Sequence, residues 1–426
     1  MGVLDAGIAR SLRHRNYRLF FCGQGVSLIG TWLTRVASSW LAYRLSHSAS
    51  VLGLVGFVGL MPTFLVAPLT GVLADRWNKH RVLIATQAAA ALQSAALAAL
   101  TLSGRITIQH LLILSAVQGL INAFDMPVRQ SLVVEMIEDR SDLPNAIALN
   151  SSMFNLARLI GPSFAGILIA SVGEGGCFAI DAVSYLAVIA MLFMMSMPNR
   201  AVRPAVQKHV LHDLWEGFQY AGRSRVIMAA IALLALVSFM AGPYMTLLPM
   251  IVSEQLSGDA RVLGYLTAAS GLGALGGALF LASRRSVHGL GRAIVAATVA
   301  LGVGLVLFGF SRNAWLSMPI MLPIGMGMMV QMAATNTILQ TIVEEGKRGR
   351  VMSLFLMSFA GTVPFGSLFG GLLADRIGPA ATIEIGGAVC CLGALWFVRV
   401  LPEIHREITR EVRPAFDAPE LVATVP

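Results

Sequence analysis

Runs of about twenty apolar residues return again and again along this chain, each cut short by a few polar ones. The stretch "GVLADRWNKHR" (71–81) is typical: one carboxylate and four basic groups stand between two greasy segments. Hydrophobic residues make up 56% of the 426 and charged residues only 12%, with a mean hydropathy of +0.74. A water-soluble domain carries about 25% charged residues. So apolar a chain belongs in a lipid bilayer, where a spanning helix needs about 20 residues. Spans are expected at 17–43, 51–74, 82–102, 108–135, 144–172 and 175–197, and again at 226–253, 262–283, 292–311, 314–343, 350–373 and 379–401. The fold class is therefore an all-α membrane protein of twelve spans.

Lysine and arginine orient the spans. With the N-terminus in the cytoplasm, 23 of the 31 fall on the cytoplasmic side and five outside (Arg44, Arg105, Arg261, Arg312, Arg376); Arg35, Arg129 and Arg158 lie within spans. That asymmetry places both termini in the cytoplasm. The net charge of +9 thus sits in short topogenic clusters, not in a basic stripe interleaved with aromatics, and nucleic acid is not an expected partner. The four cysteines form no CxxC or ligand cluster and read as reduced, buried thiols, so no metal site is expected. The first apolar run lacks a processing site and reads as a retained span.

The chain is doubled. "VLGLVGFVGL" begins at Val51 and "VLGYLTAASG" at Val262, 211 positions later, and Arg81 matches Arg292 at the same offset. "GPSFAGILIASVG" (161–173) aligns with "GSLFGGLLADRIG" (366–378). Two related halves running in the same direction imply two pseudo-symmetric six-helix bundles about an axis along the membrane normal, with a cavity between them. The expected units are 1–197 and 226–401, a cytoplasmic linker at 198–225 and a cytoplasmic tail at 402–426. Within the linker, Leu211, Leu214, Trp215 and Phe218 share one face, as in a helix lying on the membrane surface.

The opening stretch resembles the signature loop of the major facilitator superfamily, with Gly71, Leu73, Asp75 and Arg76 in place, Lys79 and His80 at basic positions and Arg81 beyond; Asn78 replaces the second glycine. The resemblance implies a cytoplasmic gate in which Asp75 meets the N-terminus of span eleven. The equivalent loop of the second half keeps basic residues without the aspartate. A second "LADR" (373–376) falls on the outer side and is given no gate role. "AFDMPVRQSLV", "DLPNAIALNS" and "FNLARLIGP" are similar to the bacterial branch holding the enterobactin exporter and macrolide-efflux proteins. Ala157, Gly161, Pro162, Ala165 and Gly166 follow the antiporter pattern of span five, with alanine in place of two glycines. Ser115 replaces the arginine that the family associates with proton movement in span four, so another ionisable group would have to answer protons.

Charges inside a bilayer cost roughly 2.5–3.5 kcal/mol each on insertion scales, and each asks for a partner or a role. Gln118, Asn122, Asp125 and Arg129 form one stripe on span four; Ser151, Asn155, Arg158 and Pro162 repeat the spacing on span five. Asp125 can pair with Arg129 or with Arg158, and serves either as a protonation switch or as a fixed stitch between spans. Arg35 either attracts an anionic substrate or pairs with Asp181. Gln24 and Thr31 on span one, and Gln331, Thr335 and Asn336 on the methionine-rich span ten, are candidate cavity lining, though methionine is also ordinary filler.

These features point to a secondary transporter of the bacterial inner membrane: an exporter, coupled to protons or another ion, of small amphipathic molecules such as drugs or siderophores. It would work by alternating access, as a monomer, without a cofactor. A lysophospholipid or metabolite facilitator of the same fold is the alternative, and a non-transporting receptor a remote one. No nucleophile–base set or GxxxxGK[ST] argues for an enzyme or an ATP-driven pump.

Overall fold

A computed structural model of the chain describes residues 10–74, 77–196, 210–284 and 286–416. The described residues are helical throughout, without strands. Helices α1 (Arg15–Ser46), α2 (Ala49–Ala74), α3 (Lys79–Leu102), α4 (Ile108–Met136) and α5 (Leu143–Phe193) come first. A shorter α6 (Val210–Arg223) leads to α7 (Arg225–Ala241), α8 (Pro243–Met250), α9 (Ala260–Ala282), α10 (Leu290–Phe310) and α11 (Ala314–Ile342). The chain ends in α12 (Glu345–Leu356), α13 (Thr362–Ile377), α14 (Pro379–Val398) and α15 (Leu401–Phe416). Single π-helical turns, Ile251–Gln255 and Met357–Gly361, follow α8 and join α12 to α13.

Ten helical stretches are long and apolar enough to cross a bilayer. The 32-residue α1, with Gln24 and Arg35 amid its apolar residues, is not in that set. One stretch, Arg140–Phe193, is 54 residues long, far beyond a single crossing. It folds back at Gly173, whose φ of 72° is open to glycine and costly for other residues. Polar residues stop and start the other helices. Thr107, Asp259 and Asn313 accept backbone N–H groups at the heads of α4, α9 and α11, and Gly378 turns the chain before α14 at φ 87°. Asn78, the departure from the signature loop, is the N-cap of α3: its side chain accepts from the Arg81 N–H at 3.1 Å.

Two ends of the bundle can be told apart. One carries most of the arginine and lysine; it holds the N-terminal turn Arg10–Arg13, the connection between α4 and α5, the head of α7 and α15. There Arg10, Arg13 and His14 converge on buried Asp142 at 2.8–3.1 Å, and Arg225 meets Glu403 at 2.8 Å. The backbone N–H and hydroxyl of Ser141 hold the Asp139 carboxyl below the ordinary carboxylate range. At the opposite end Arg44 pairs with Glu174 at 3.0 Å, and Gln255 donates to the carbonyls of Gly309 and Ser311.

Small residues bring backbones together. Gly273 of α9 faces the Leu322 carbonyl of α11, and Gly325 of α11 faces the Ser270 carbonyl of α9, each so near that a Cβ would overlap the oxygen. Such close approach is what holds helices together in lipid, where burying leucine gains little. Gly325→Ala is expected to destabilise the protein by about 1–3 kcal/mol, because the backbone must give way. Thermal unfolding in detergent, followed by size exclusion, measures it; an unchanged midpoint would show that the contact carries no stability.

Candidate functional site

Helix α5 packs against α1, α3 and α9. Its first limb carries the antiporter-like residues: Ala157 and Ala165 are buried, and Gly161 lies under Trp32 of α1. Pro162 and Gly166 press on α9, where Gly264 meets the Pro162 carbonyl and Gly166 meets that of Ala260. One turn further in, Gly271 of α9 approaches the Arg158 carbonyl. The small residues thus allow α5 and α9 to touch backbone to backbone.

The α2–α13 seam is similar. Gly53 faces the Ser367 carbonyl, Gly371 faces that of Ala49, and Phe57 meets Phe365 edge-on at 5.6 Å. At its tip Asp375 of α13 accepts the backbone N–H groups of Ala49 at 2.8 Å and Ser50 at 3.2 Å, and the Ser48 hydroxyl at 3.4 Å. Ala49 and Ser50 open α2, so the carboxylate fills orphan donors and meets the positive end of the helix dipole. The second "LADR", given no gate role from the sequence, thus places its aspartate as a cap on the start of α2. "GLLADR" (371–376) matches "GVLADR" (71–76) at all but the second residue.

Of the signature loop, Asp75 and Arg76 lie outside the described residues, and of Gly71 only the helical backbone of α2 is described. Lys79 pairs with Glu135 of α4 at 2.7 Å and His80 contacts the Leu192 carbonyl at 2.9 Å, while Arg81 is exposed. Trp77 stacks on Phe124.

The polar stripe of α4 resolves one alternative. Asp125, buried, pairs with Arg129 and accepts from Gln87 at 2.7 Å; the Thr86 hydroxyl lies 3.1 Å from it and 2.9 Å from the Leu83 carbonyl. Gln118 donates to Asn122 at 3.1 Å, and Asn155 to the Ser151 carbonyl of its own helix at 2.9 Å. Arg158 and Arg35 form no ion pair with a carboxylate among the described residues. Arg35 stands over the Trp32 ring at 5.1 Å. The Arg35–Asp181 pair does not form, because Thr34, Ser94 and Ser184 surround Asp181 instead.

Of the expected cavity lining, Thr31 is exposed and Asn336 half-buried, accepting from Gln340. Gln24, Gln331 and Thr335 are buried within the bundle, so they do not line an open chamber here. Gln331 Nε2 and Thr335 Oγ1 have no hydrogen-bond partner there. Cys22 is exposed, against the expectation of buried thiols; Cys177 and Cys390 are buried. On α6, Trp215 and Phe218 stack and face outward, while Glu216 holds Arg350 of α12 at 2.6 Å.

Asp375→Ala is expected to move the protein toward a conformation parted at this seam, by roughly three- to thirtyfold, the range set by losing one helix cap. Spin labels at Arg105 and Arg312, both exposed at this end, report it as growth of a longer distance population. An unaltered distance distribution would remove Asp375 from the gate.

Comparison with known proteins matches residues 7–425 to the family described as transmembrane secretion effector. The chain is 26% identical over 387 residues to the staphyloferrin A transporter of Staphylococcus aureus, covering 89% of this chain and 96% of that one. It is 25% identical over 403 residues to the enterobactin exporter EntS of Escherichia coli, covering 92% and 93%. Among solved structures, a POT family transporter in complex with 5-aminolevulinic acid superposes with a TM-score of 0.74 at 11% identity, over 92% of this chain and 96% of the other.

Proposed function

Because the chain belongs to the transmembrane secretion effector family of the major facilitator superfamily, we propose that it exports small amphipathic molecules bearing an acidic group, by alternating access and at the expense of a proton gradient. It is a multi-pass membrane transporter and not an enzyme. The finer reading takes α1, the two limbs of α5 and the kinked α7–α8 and α12–α13 segments as spans, making twelve. These form two bundles, 1–197 and 226–401, with 198–225 as linker, 402–426 as tail and both termini in the cytoplasm of a bacterial inner membrane. The basic end is then cytoplasmic, as the distribution of lysine and arginine favours.

One observation carries the substrate class: Arg35 and Arg158, both within the expected spans, have no carboxylate partner among the described residues. A cation within a membrane span that lacks a counter-charge is costly, so an anion is its natural partner. Trp32, beneath Arg35, adds an apolar surface for the rest of such a molecule. Relatives named for staphyloferrin A and enterobactin support a siderophore-like or drug-like cargo.

The seams described above, α5 with α9 and α2 with α13, support a state closed at the end opposite the basic one. In the reverse state the Asp75 gate, as the family resemblance implies, would close the basic end while Asp375 lets go.

Replacing either arginine, Arg35→Gln or Arg158→Gln, is expected to slow transport of a carboxylate dye such as carboxyfluorescein by at least about tenfold, the worth of one charge-assisted hydrogen bond. Transport of the cation ethidium should not fall in parallel. Proteoliposomes loaded with each dye measure both; equal losses for anion and cation would contradict the substrate class.

A further inference from the structure

Asp181 sits on the second limb of α5, buried, and each oxygen can be accounted for. Its Oδ2 accepts from the Thr34 hydroxyl of α1 at 2.6 Å and the Ser94 hydroxyl of α3 at 2.8 Å. The Ser184 hydroxyl lies 3.4 Å from Oδ1, but also 2.8 Å from the Asp181 carbonyl. A hydroxyl has one proton to give. Ser184 spends it on the nearer carbonyl, so Oδ1 and Ser184 Oγ face each other as two acceptors unless Oδ1 itself carries a proton.

The charged and titratable surroundings agree. On α1 the neighbouring Arg35 is turned to the Trp32 ring. On α3 the facing groups are Ser94 and Gln93, whose amide donates to the Leu114 carbonyl at 3.1 Å. On α5 itself, Tyr185 lies one turn on and Glu174 is bound to Arg44. Beyond Tyr185, on α4, Asp125 and Arg129 satisfy one another. Among the described residues no lysine, arginine or histidine reaches salt-bridge distance of Asp181. Nor is there room for water on one side: a Cβ at Gly30 of α1 would overlap both Oδ1 and Ser184 Oγ. An ionised carboxylate so enclosed, without cation or solvent, is strongly disfavoured.

We propose that Asp181 is the proton-binding site of the transport cycle, neutral and protonated at Oδ1 in this closed arrangement of α1 against α5. The inference rests on the proton-driven reading above and supplies the group that Ser115 cannot. Release is a simple ionisation: the O–H bond at Oδ1 breaks, its electrons stay on the carboxylate, and the proton passes to water. For that, Gly30 must withdraw and let water reach Oδ1. Helix α1 also carries Arg44, bound to Glu174, and Tyr43, whose hydroxyl donates to Glu254 at 3.3 Å across to the segment after α8. Withdrawal of α1 therefore loosens the same end that Asp375 latches. Asp125, already neutralised by Arg129, is the fixed stitch.

Infrared difference spectroscopy and spin-label distances between positions 105 and 312, both on the full-length protein in nanodiscs, test this without a transported substrate. The wild type should show the carbonyl stretch of a protonated carboxylic acid at about pH 7; Asp181→Asn should lack it, and Asp125→Asn should keep it. Raising the pH from about 5 to about 8 should increase the parted population of the wild type at least about tenfold, as expected when one proton is linked to the change. Asp181→Asn, a close mimic of the neutral acid, should abolish that response while folding normally by size exclusion. If the response persists in Asp181→Asn, or the band does, this site is wrong although proton coupling stands. If the wild type does not respond to pH at all, the proton-driven reading fails, and this inference with it.

Discussion

Backbone approach through small residues is the constraint on which this architecture depends. Lipid tails are as apolar as leucine, so helices in a bilayer are not driven together by the burial that folds a soluble core. Adhesion comes instead from surfaces that fit closely. Here Gly273 and Gly325 join α9 to α11, Gly166 and Gly264 join α5 to α9, and Gly53 and Gly371 join α2 to α13. The last two pairs link the first half of the chain to the second. Contacts of this kind are made without trapping charge, so they can be made and broken repeatedly.

Charge is placed against that background with little redundancy. Asp125 is matched by Arg129, Glu174 by Arg44 and Glu135 by Lys79, each within the first half. Among the described residues, Arg35 and Arg158 have no carboxylate partner, and buried Asp181 is held by hydroxyls without a cation. A membrane interior tolerates such groups only where something mobile, an anion or a proton, completes them for part of the time.

Much of this was legible in the sequence. The helices fall close to the expected spans because an apolar run of that length has few other uses, and the Val51 and Val262 repeats lie on α2 and α9 as a same-direction duplication requires. Partner choice was not legible. Helical spacing put Asp125 within reach of both Arg129 and Arg158, and only the rotation of α5 against α4 decides between them. Asp181 was visible as a polar residue opening a span, but Ser94 and Thr34, its hydrogen-bonding neighbours, are 87 and 147 residues away along the chain. For Asp375 the motif was visible, but its partners, the backbone N–H groups of Ala49 and Ser50, lie 326 and 325 residues away along the chain. The π-helical turns, each adding one residue to a turn, left no pattern at all.

The fold-back at Gly173 has a mechanical corollary. Both limbs of α5 return to the basic end, yet a single glycine joins them, with no connecting loop to stretch or buckle. A connection that short has no slack. Any axial slide of the limb bearing Asp181 must be taken up at once by the limb bearing Pro162 and Gly166, as a piston rod drives its crank. The covalent joint at Gly173 therefore ties the protonation site directly to the seam between the halves.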